Sequence, residues 1–183
     1  MALTYTPSAP EFGQPCPDFT LPSMDGKTYS LKDFSNGNPL VVMFICNHCP
    51  YVKAIEDRLI QLGKDLKSEN INVVAICSNT DTKYTEDSFE NLRQRFFEKE
   101  YSFFYLHDET QDVAKKFGAV CTPDYFMFDG ELKLKYRGRL DDNWKEADKV
   151  SKRELYEAAL DLKNHHPLKP QTPSMGCSIK WKV

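Results

Sequence analysis

Two cysteines separated by two residues, Cys46-Asn47-His48-Cys49, are the side chains of this sequence best suited to chemistry. A thiolate at the first attacks a foreign disulfide to give a mixed disulfide, and the second sulfur displaces the product. The chemistry implied is thiol-disulfide exchange, with Cys46 attacking and Cys49 resolving. Its rate depends on ionisation, because the thiolate rather than the thiol is the nucleophile. His48 lies between the two, and an imidazolium beside Cys46 stabilises its anion, favouring the reduced pair and a comparatively oxidising couple.

The neighbouring elements offer a second source of stabilisation. Residues 40–45 form a continuous apolar run after Asn38-Pro39, which suits a strand buried on both faces. Pro50 fits a first helical turn, and Val52, Ile55, Leu59, Leu62 and Leu66 recur at helical spacing to about Lys67. Residues 71–77 read as another buried strand ending on Cys77, taken as a small buried hydrophobe, so 40–77 form a β-α-β unit with parallel strands and a right-handed crossover. The cysteines therefore stand at a strand-to-helix junction, where Cys46 is expected to face unpaired amides and the positive end of the helix dipole.

Around this unit the chain reads as one domain with appendages. Residues 1–18, with Pro7, Pro10, Pro15 and Pro17, form an N-terminal arm; 19–164 form the domain; 165–183 are an aperiodic tail that docks through Ile179 and Trp181. Residues 19–21 and 28–31 flank Asp25-Gly26 as an N-terminal edge hairpin. Phe89, Leu92, Phe96 and Phe97 mark a helix that starts in or just after residues 80–88. A short aromatic strand follows at 102–106, and then a helix at 111–117 stopped by Gly118. The aromatic group Phe96, Phe97, Phe103, Phe104 and Tyr105 reads as core. Residues 125–128 and 132–136 flank Asp129-Gly130 as a hairpin, and Ser151 and Glu154 have capping-box spacing before a last helix. Arg137, Arg139, Asp141 and Asp142 read as a solvated edge, with Asp141 or Asp142 as an alternative proton acceptor.

With a length of 183 residues, 40% hydrophobic content and a formal net charge of -3, the chain can bury a core and has no field to attract nucleic acid or an anionic membrane. Residues 1–10 lack the basic and apolar regions of a secretory signal, and no apolar run approaches the roughly 18 residues of a membrane span, so a cytoplasmic setting is expected. Six cysteines in a domain of this size suit cysteine chemistry better than a disulfide framework. A zinc site normally takes a second closely spaced ligand pair, and Cys121, Cys177, His107, His165 and His166 are isolated or loosely spaced, so no resident metal or other cofactor is expected. Cys16 reads as structural or exposed.

Taken together, residues 44–53 (Phe-Ile-Cys-Asn-His-Cys-Pro-Tyr-Val-Lys), 121–124 (Cys-Thr-Pro-Asp), 136–142 (Tyr-Arg-Gly-Arg-Leu-Asp-Asp) and 173–181 (Pro-Ser-Met-Gly-Cys-Ser-Ile-Lys-Trp) resemble the peroxiredoxin-like branch of the redoxin (AhpC/TSA) families, over nearly the whole chain. The resemblance implies an α/β, thioredoxin-like fold: a central mixed β-sheet flanked by helices, with the N-terminal hairpin and the extended C-terminal tail as additions. It also implies a cis Pro123 beside the cysteine pair and a Thr122 that offers backbone groups to an incoming peptide. Peroxiredoxins carry a threonine where this chain has Met43, and an arginine near the reactive cysteine for which Arg137 and Arg139 are the candidates. Thioredoxins carry a buried acid near the position of Leu40 and a tryptophan at that of Ile45.

Three functions follow as expectations. The first is disulfide exchange with a protein or a low-molecular-weight thiol or disulfide. The second is a thiol peroxidase in which Cys46 takes oxygen from a hydroperoxide and Cys49 resolves the sulfenic acid. The third is a metal-binding or metallochaperone module using Cys46, His48 and Cys49. If the loop before Pro123 packs on the helix start, Cys121 comes within reach of the pair, and an auxiliary disulfide from Cys121 to Cys177 stands beside the alternative of two free thiols.

Overall fold

The computed structural model describes residues 3–79 and 83–182. In chain order its elements are β1 (Leu3–Tyr5), β2 (Thr20–Pro22), β3 (Thr28–Ser30), β4 (Leu40–Phe44), α1 (Pro50–Ser68), β5 (Asn72–Cys77), α2 (Phe89–Glu98), β6 (Phe104–His107), α3 (Asp112–Phe117), β7 (Cys121–Thr122), β8 (Asp124–Phe128), β9 (Leu134–Tyr136), α4 (Glu154–Lys163) and β10 (Met175–Ser178). Part of the 80–88 stretch expected to lead into the second helix, namely 80–82, lies outside the described residues.

The main sheet has five strands in the order β6-β5-β4-β8-β9. β4 pairs parallel with β5, and β5 with β6, whereas β8 runs antiparallel to both β4 and β9. This is the mixed sheet of a thioredoxin-like fold. All five β4 residues are buried, as expected for a strand covered on both faces. Side-chain alternation divides the core. Val41, Met43 and Ile45 pack with Val52, Ile55, Leu59, Leu62 and Leu66 of α1 and with Leu155 of α4. Val42 and Phe44 pack on the other side with Val113 and Phe117 of α3 and with Phe19 and Phe34. Each large apolar side chain buried from α1 contributes roughly 1.5–3 kcal/mol, so tertiary packing rather than propensity holds the helix.

The hairpin β2-β3 abuts the β6 edge through a bridge from Ser23 to Leu106 and the Met24 amide on the Tyr105 carbonyl at 2.9 Å. No helix among the described residues is long and apolar enough to cross a membrane.

Several expectations are corrected. Phe97 is 54% exposed, lying under the Arg93 guanidinium instead of in the core, because it falls on the outer face of α2. Ser151 does not cap α4; Arg153 holds that position, and Ser151 bonds Asp142 through both its amide and its hydroxyl. The 137–142 stretch is not a solvated edge throughout. Arg137 is buried against Asp124 at 2.9 Å and over the Phe126 ring, and Asp141 is buried against Arg58. Cys16 is buried, and desolvation pushes its thiol up to about 12.

The largest correction concerns the termini. The tail is not aperiodic: β10 is the middle strand of a second sheet, β1-β10-β7, pairing antiparallel with the N-terminal arm on one side and with the Thr122 edge on the other. Gly176 makes this possible, since a Cβ there would lie 1.9 Å from the Thr122 carbonyl oxygen. Gly176→Ala is therefore expected to destabilise the fold by about 1–3 kcal/mol, the usual cost of overpacking, in urea titration, while Phe97→Ala changes stability by less than about 0.5 kcal/mol. Equal midpoints for the two variants would show that β10 is not seated as described.

Candidate active site

The loop between β4 and α1 carries the cysteine pair, and the position of each sulfur follows from where the helix starts. Cys49 is the N-cap of α1, with extended backbone, and Pro50 occupies the first turn, where its missing N–H costs nothing. Cys46 lies before the loop turns. The Thr122-Pro123 bond beside them is cis. Thr122 touches both cysteines: its hydroxyl is 3.4 Å from Cys46 Sγ, and its carbonyl accepts the Cys49 S–H at 3.1 Å. The structure thus brings Cys46, His48, Cys49, Thr122 and Pro123 together.

Asp87, in the 3-10 turn before α2, is a site residue that sequence reasoning missed. Its buried carboxylate accepts the Asn47 amide at 2.7 Å, the His48 amide at 3.0 Å and the His48 ring through Nδ1. The Asn47 side chain donates to the carbonyls of Glu86 at 3.0 Å and Asn91 at 3.2 Å. The cysteine loop is therefore bolted to the turn before α2 and the start of that helix. His48 Nδ1 is 3.6 Å from Cys46 Sγ, its Nε2 is buried without a hydrogen-bond partner among the described residues, and the ring stacks on Tyr84 at 4.2 Å. No local pattern could have linked Asp87 to a loop some forty residues away; an acid just before the Ser88 N-cap reads as ordinary helix-start chemistry.

The electrostatics move the two sulfurs in opposite directions. Burial raises the Cys46 thiol well above its ordinary value, and the Cys49 interaction and the Asp87 charge push the same way. Cys49 is lowered to about 5, chiefly because the Cys46 S–H donates to its anion, with the Thr122 hydroxyl and the Val52 and Cys177 amides assisting against desolvation. The two shifts run in opposite directions, so the pair favours a single negative charge between its sulfurs, and the Thr122 carbonyl accepts from Cys49 when that sulfur carries the proton. His48 was expected to supply uncompensated positive charge next to Cys46; Asp87 counters it. Cys46 and Cys49 are 1% and 0% exposed, so the pair is covered rather than open, although the adjoining Pro50 is exposed.

Other expected participants stand elsewhere. Arg137 and Arg139 are engaged with Asp124 and Glu154, and Asp142 binds Ser151 and Lys152. His107 is half-buried against Phe89, whereas His165 and His166 are exposed. The Thr122 edge expected to receive a peptide is already paired with β10, Thr122 opposite Cys177 and Cys121 opposite Ser178. That register sends Cys121 and Cys177 to opposite faces, and both are free thiols, the second of the two alternatives held open for them. Cys121 donates instead to the Pro123 carbonyl at 3.5 Å. Cys46, His48 and Asp87 present donor atoms within 4.8 Å of one another, a set distinct from the expected Cys46, His48 and Cys49.

The AhpC/TSA family model matches residues 12–137. A search of functionally curated proteins gave no match. Among solved structures, an uncharacterized conserved protein from Geobacillus kaustophilus is 40% identical with a TM-score of 0.92, over 100% of this chain and 97% of that one. A hypothetical protein from Sinorhizobium meliloti 1021 is 34% identical with a TM-score of 0.90, over 96% and 97%. The thioredoxin domain of a thiol-disulfide oxidoreductase from Bacteroides vulgatus shares the fold at 18% identity and a TM-score of 0.58, over 70% and 89%. With more than half its length matched by that model and both well-covered relatives superposing closely, the chain belongs to the AhpC/TSA family, on a thioredoxin-like fold.

Proposed function

We propose that the protein is a thiol-disulfide oxidoreductase whose working couple is Cys46 and Cys49. The observation that carries this reading is the pair of buried sulfurs at the start of α1, both in contact with the residue before cis-Pro123. As Cys46 attacks a substrate disulfide, its proton passes to the Cys49 thiolate and one substrate thiolate leaves. Cys49 then attacks the mixed disulfide, its proton departs with the second substrate thiol, and a Cys46–Cys49 disulfide remains. Cys49 thus serves as internal base for Cys46, a task for which no carboxylate is needed at Leu40. Substrate reaches Cys46 when the cover over the pair parts, and the recess between Pro123, Tyr51 and Trp144, about 170 Å³, is suited to an apolar group beside the disulfide. A protein or small thiol-disulfide partner in the cytoplasm completes this proposal.

Peroxide reduction has less support, since Arg137 and Arg139 are held in other ion pairs. Metal binding has one specific observation in its favour, the Cys46, His48 and Asp87 donor set, whose ligand types suit zinc. Stoichiometric zinc in protein purified under reducing conditions, released on Asp87→Ala, would favour that reading over exchange.

The exchange reading is tested with Cys49→Ser and Cys46→Ser. The Cys49 variant is expected to retain a mixed disulfide on Cys46 after exposure to a peptide disulfide, while the Cys46 variant loses turnover; undiminished turnover in Cys46→Ser excludes the mechanism.

The ionisation scheme predicts one thiolate per reduced chain appearing near pH 5 in ultraviolet absorbance, and shifted upward in Cys49→Ser. Because the folded Cys49 value is depressed, its contribution to stability is full above the ordinary thiol value and is lost as pH falls toward 5. Absence of any thiolate absorbance below pH 8 contradicts it. Asp87→Asn keeps the bonds to the Asn47 and His48 amides but removes the charge, so Cys46 alkylation is expected to shift to lower pH; an unchanged profile denies Asp87 this role.

A further inference from the structure

The C-terminal strand carries a third cysteine into contact with the pair. β10 places Cys177 opposite Thr122, and residues facing each other across an antiparallel pair project to the same side. That is the side on which the Thr122 hydroxyl meets Cys46 Sγ at 3.4 Å. Cys49 Sγ lies 3.1 Å from the carbonyl oxygen of the same Thr122 that Cys177 faces, so β10 and the start of α1 meet at that residue. Cys46, Cys49 and Cys177 belong to one core cluster, which does not include Cys121.

The strand is held there from both ends. The Thr6 amide donates to the Ser174 carbonyl at 2.9 Å, and the Ser174 hydroxyl donates to the Pro123 carbonyl at 2.9 Å. Beyond the strand, Ile179 is buried, the Lys180 amide donates to Asn79 Oδ1 at 2.9 Å, and Gln111 bonds the Lys180 carbonyl at 2.8 Å. Cys177 itself is 2% exposed. While β10 is seated, Cys177 is buried in one cluster with Cys46 and Cys49.

We propose that Cys177 is a third member of the redox centre: its thiolate attacks the Cys49 sulfur of the Cys46–Cys49 disulfide, forming a Cys49–Cys177 bond and releasing Cys46. The proposal rests on the reading of Cys46 and Cys49 as a redox couple and extends it. One S–S bond breaks and one forms. The proton given up by Cys177 is taken by the Cys46 thiolate, and no net oxidation occurs, the two oxidising equivalents having come from the substrate disulfide that oxidised the pair. The product ties β10 to the first turn of α1 and returns Cys46 as a thiol beside His48. The tail is thereby fixed across the Thr122 edge when the centre is oxidised and held only by non-covalent contacts when it is reduced.

The test uses the full chain with Cys46→Ser, which leaves Cys49 and Cys177 in place. After exposure to oxidised glutathione, alkylation and tryptic mapping, the Cys49 peptide is expected to be recovered linked to the Cys177 peptide, and Cys121, on a separate peptide, as an alkylated thiol. Recovery of Cys49 only as its glutathione adduct, with Cys177 alkylated, overturns the proposal, as does linkage of Cys177 to Cys121. Cys177→Ser under the same conditions separates the two levels. If it forms the Cys46–Cys49 disulfide while Cys46→Ser gives no link to Cys177, only this proposal falls; if it forms no such disulfide, the couple itself is wrong and both fall. Should Cys46→Ser fail to fold by circular dichroism, wild-type protein in stepped glutathione buffers must show a Cys49–Cys177 link with Cys46 alkylated, and its absence overturns the proposal equally.

Discussion

Thr122 is the residue through which the sheets, the tail and the two sulfurs are joined. It ends β7 in the smaller sheet, and the cis bond to Pro123 leads at once into β8 of the main sheet. Its carbonyl accepts from Cys49, its hydroxyl contacts Cys46, and its backbone pairs with Cys177. A shift of β8 along β4 would therefore be felt at both cysteines and at the tail. The glycine at 176 belongs to the same constraint, because only a residue without Cβ lets β10 approach that carbonyl.

A second constraint is charge. Asp87 is 2% exposed and spends its oxygens on two amides and an imidazole, which satisfies the loop but places negative potential next to Cys46. Two anions side by side in this buried region would repel strongly. Burial and the Asp87 charge act against an anion on Cys46, while the Thr122 carbonyl accepts from a protonated Cys49, so the pair is built to hold one negative charge and not two.

The part of the molecule legible in the sequence is the part whose information is local. The apolar run of β4, the proline at the start of α1, its heptad-like spacing and β5 followed from periodicity, and with them came the cysteine junction. Phe97 was misjudged because α2 offers more aromatic residues than its inward face can take. Asp87 and the Arg137–Asp124 pair were invisible, since their burial is a tertiary fact and polar residues carry no mark of it. The β10 strand was missed because Met-Gly-Cys-Ser has little strand propensity, and its pairing is imposed by partners at opposite ends of the chain. The expectation of a Cys46 thiolate rests on the helix dipole and on His48, whereas burial and the Asp87 charge, neither marked locally in the sequence, act against it.

The tail also bears on what can reach the Thr122 edge. A peptide that pairs with Thr122 must take the place of β10, replacing its ladder hydrogen bonds one for one, yet it must also offset the exposure of Ile179, roughly 1.5–3 kcal/mol for a side chain of that kind. It would lose in addition the bonds that Lys180 makes to Asn79 and Gln111. The seated tail therefore covers the Thr122 edge, and its hold comes from the burial of Ile179 and the bonds of Lys180 as much as from the ladder.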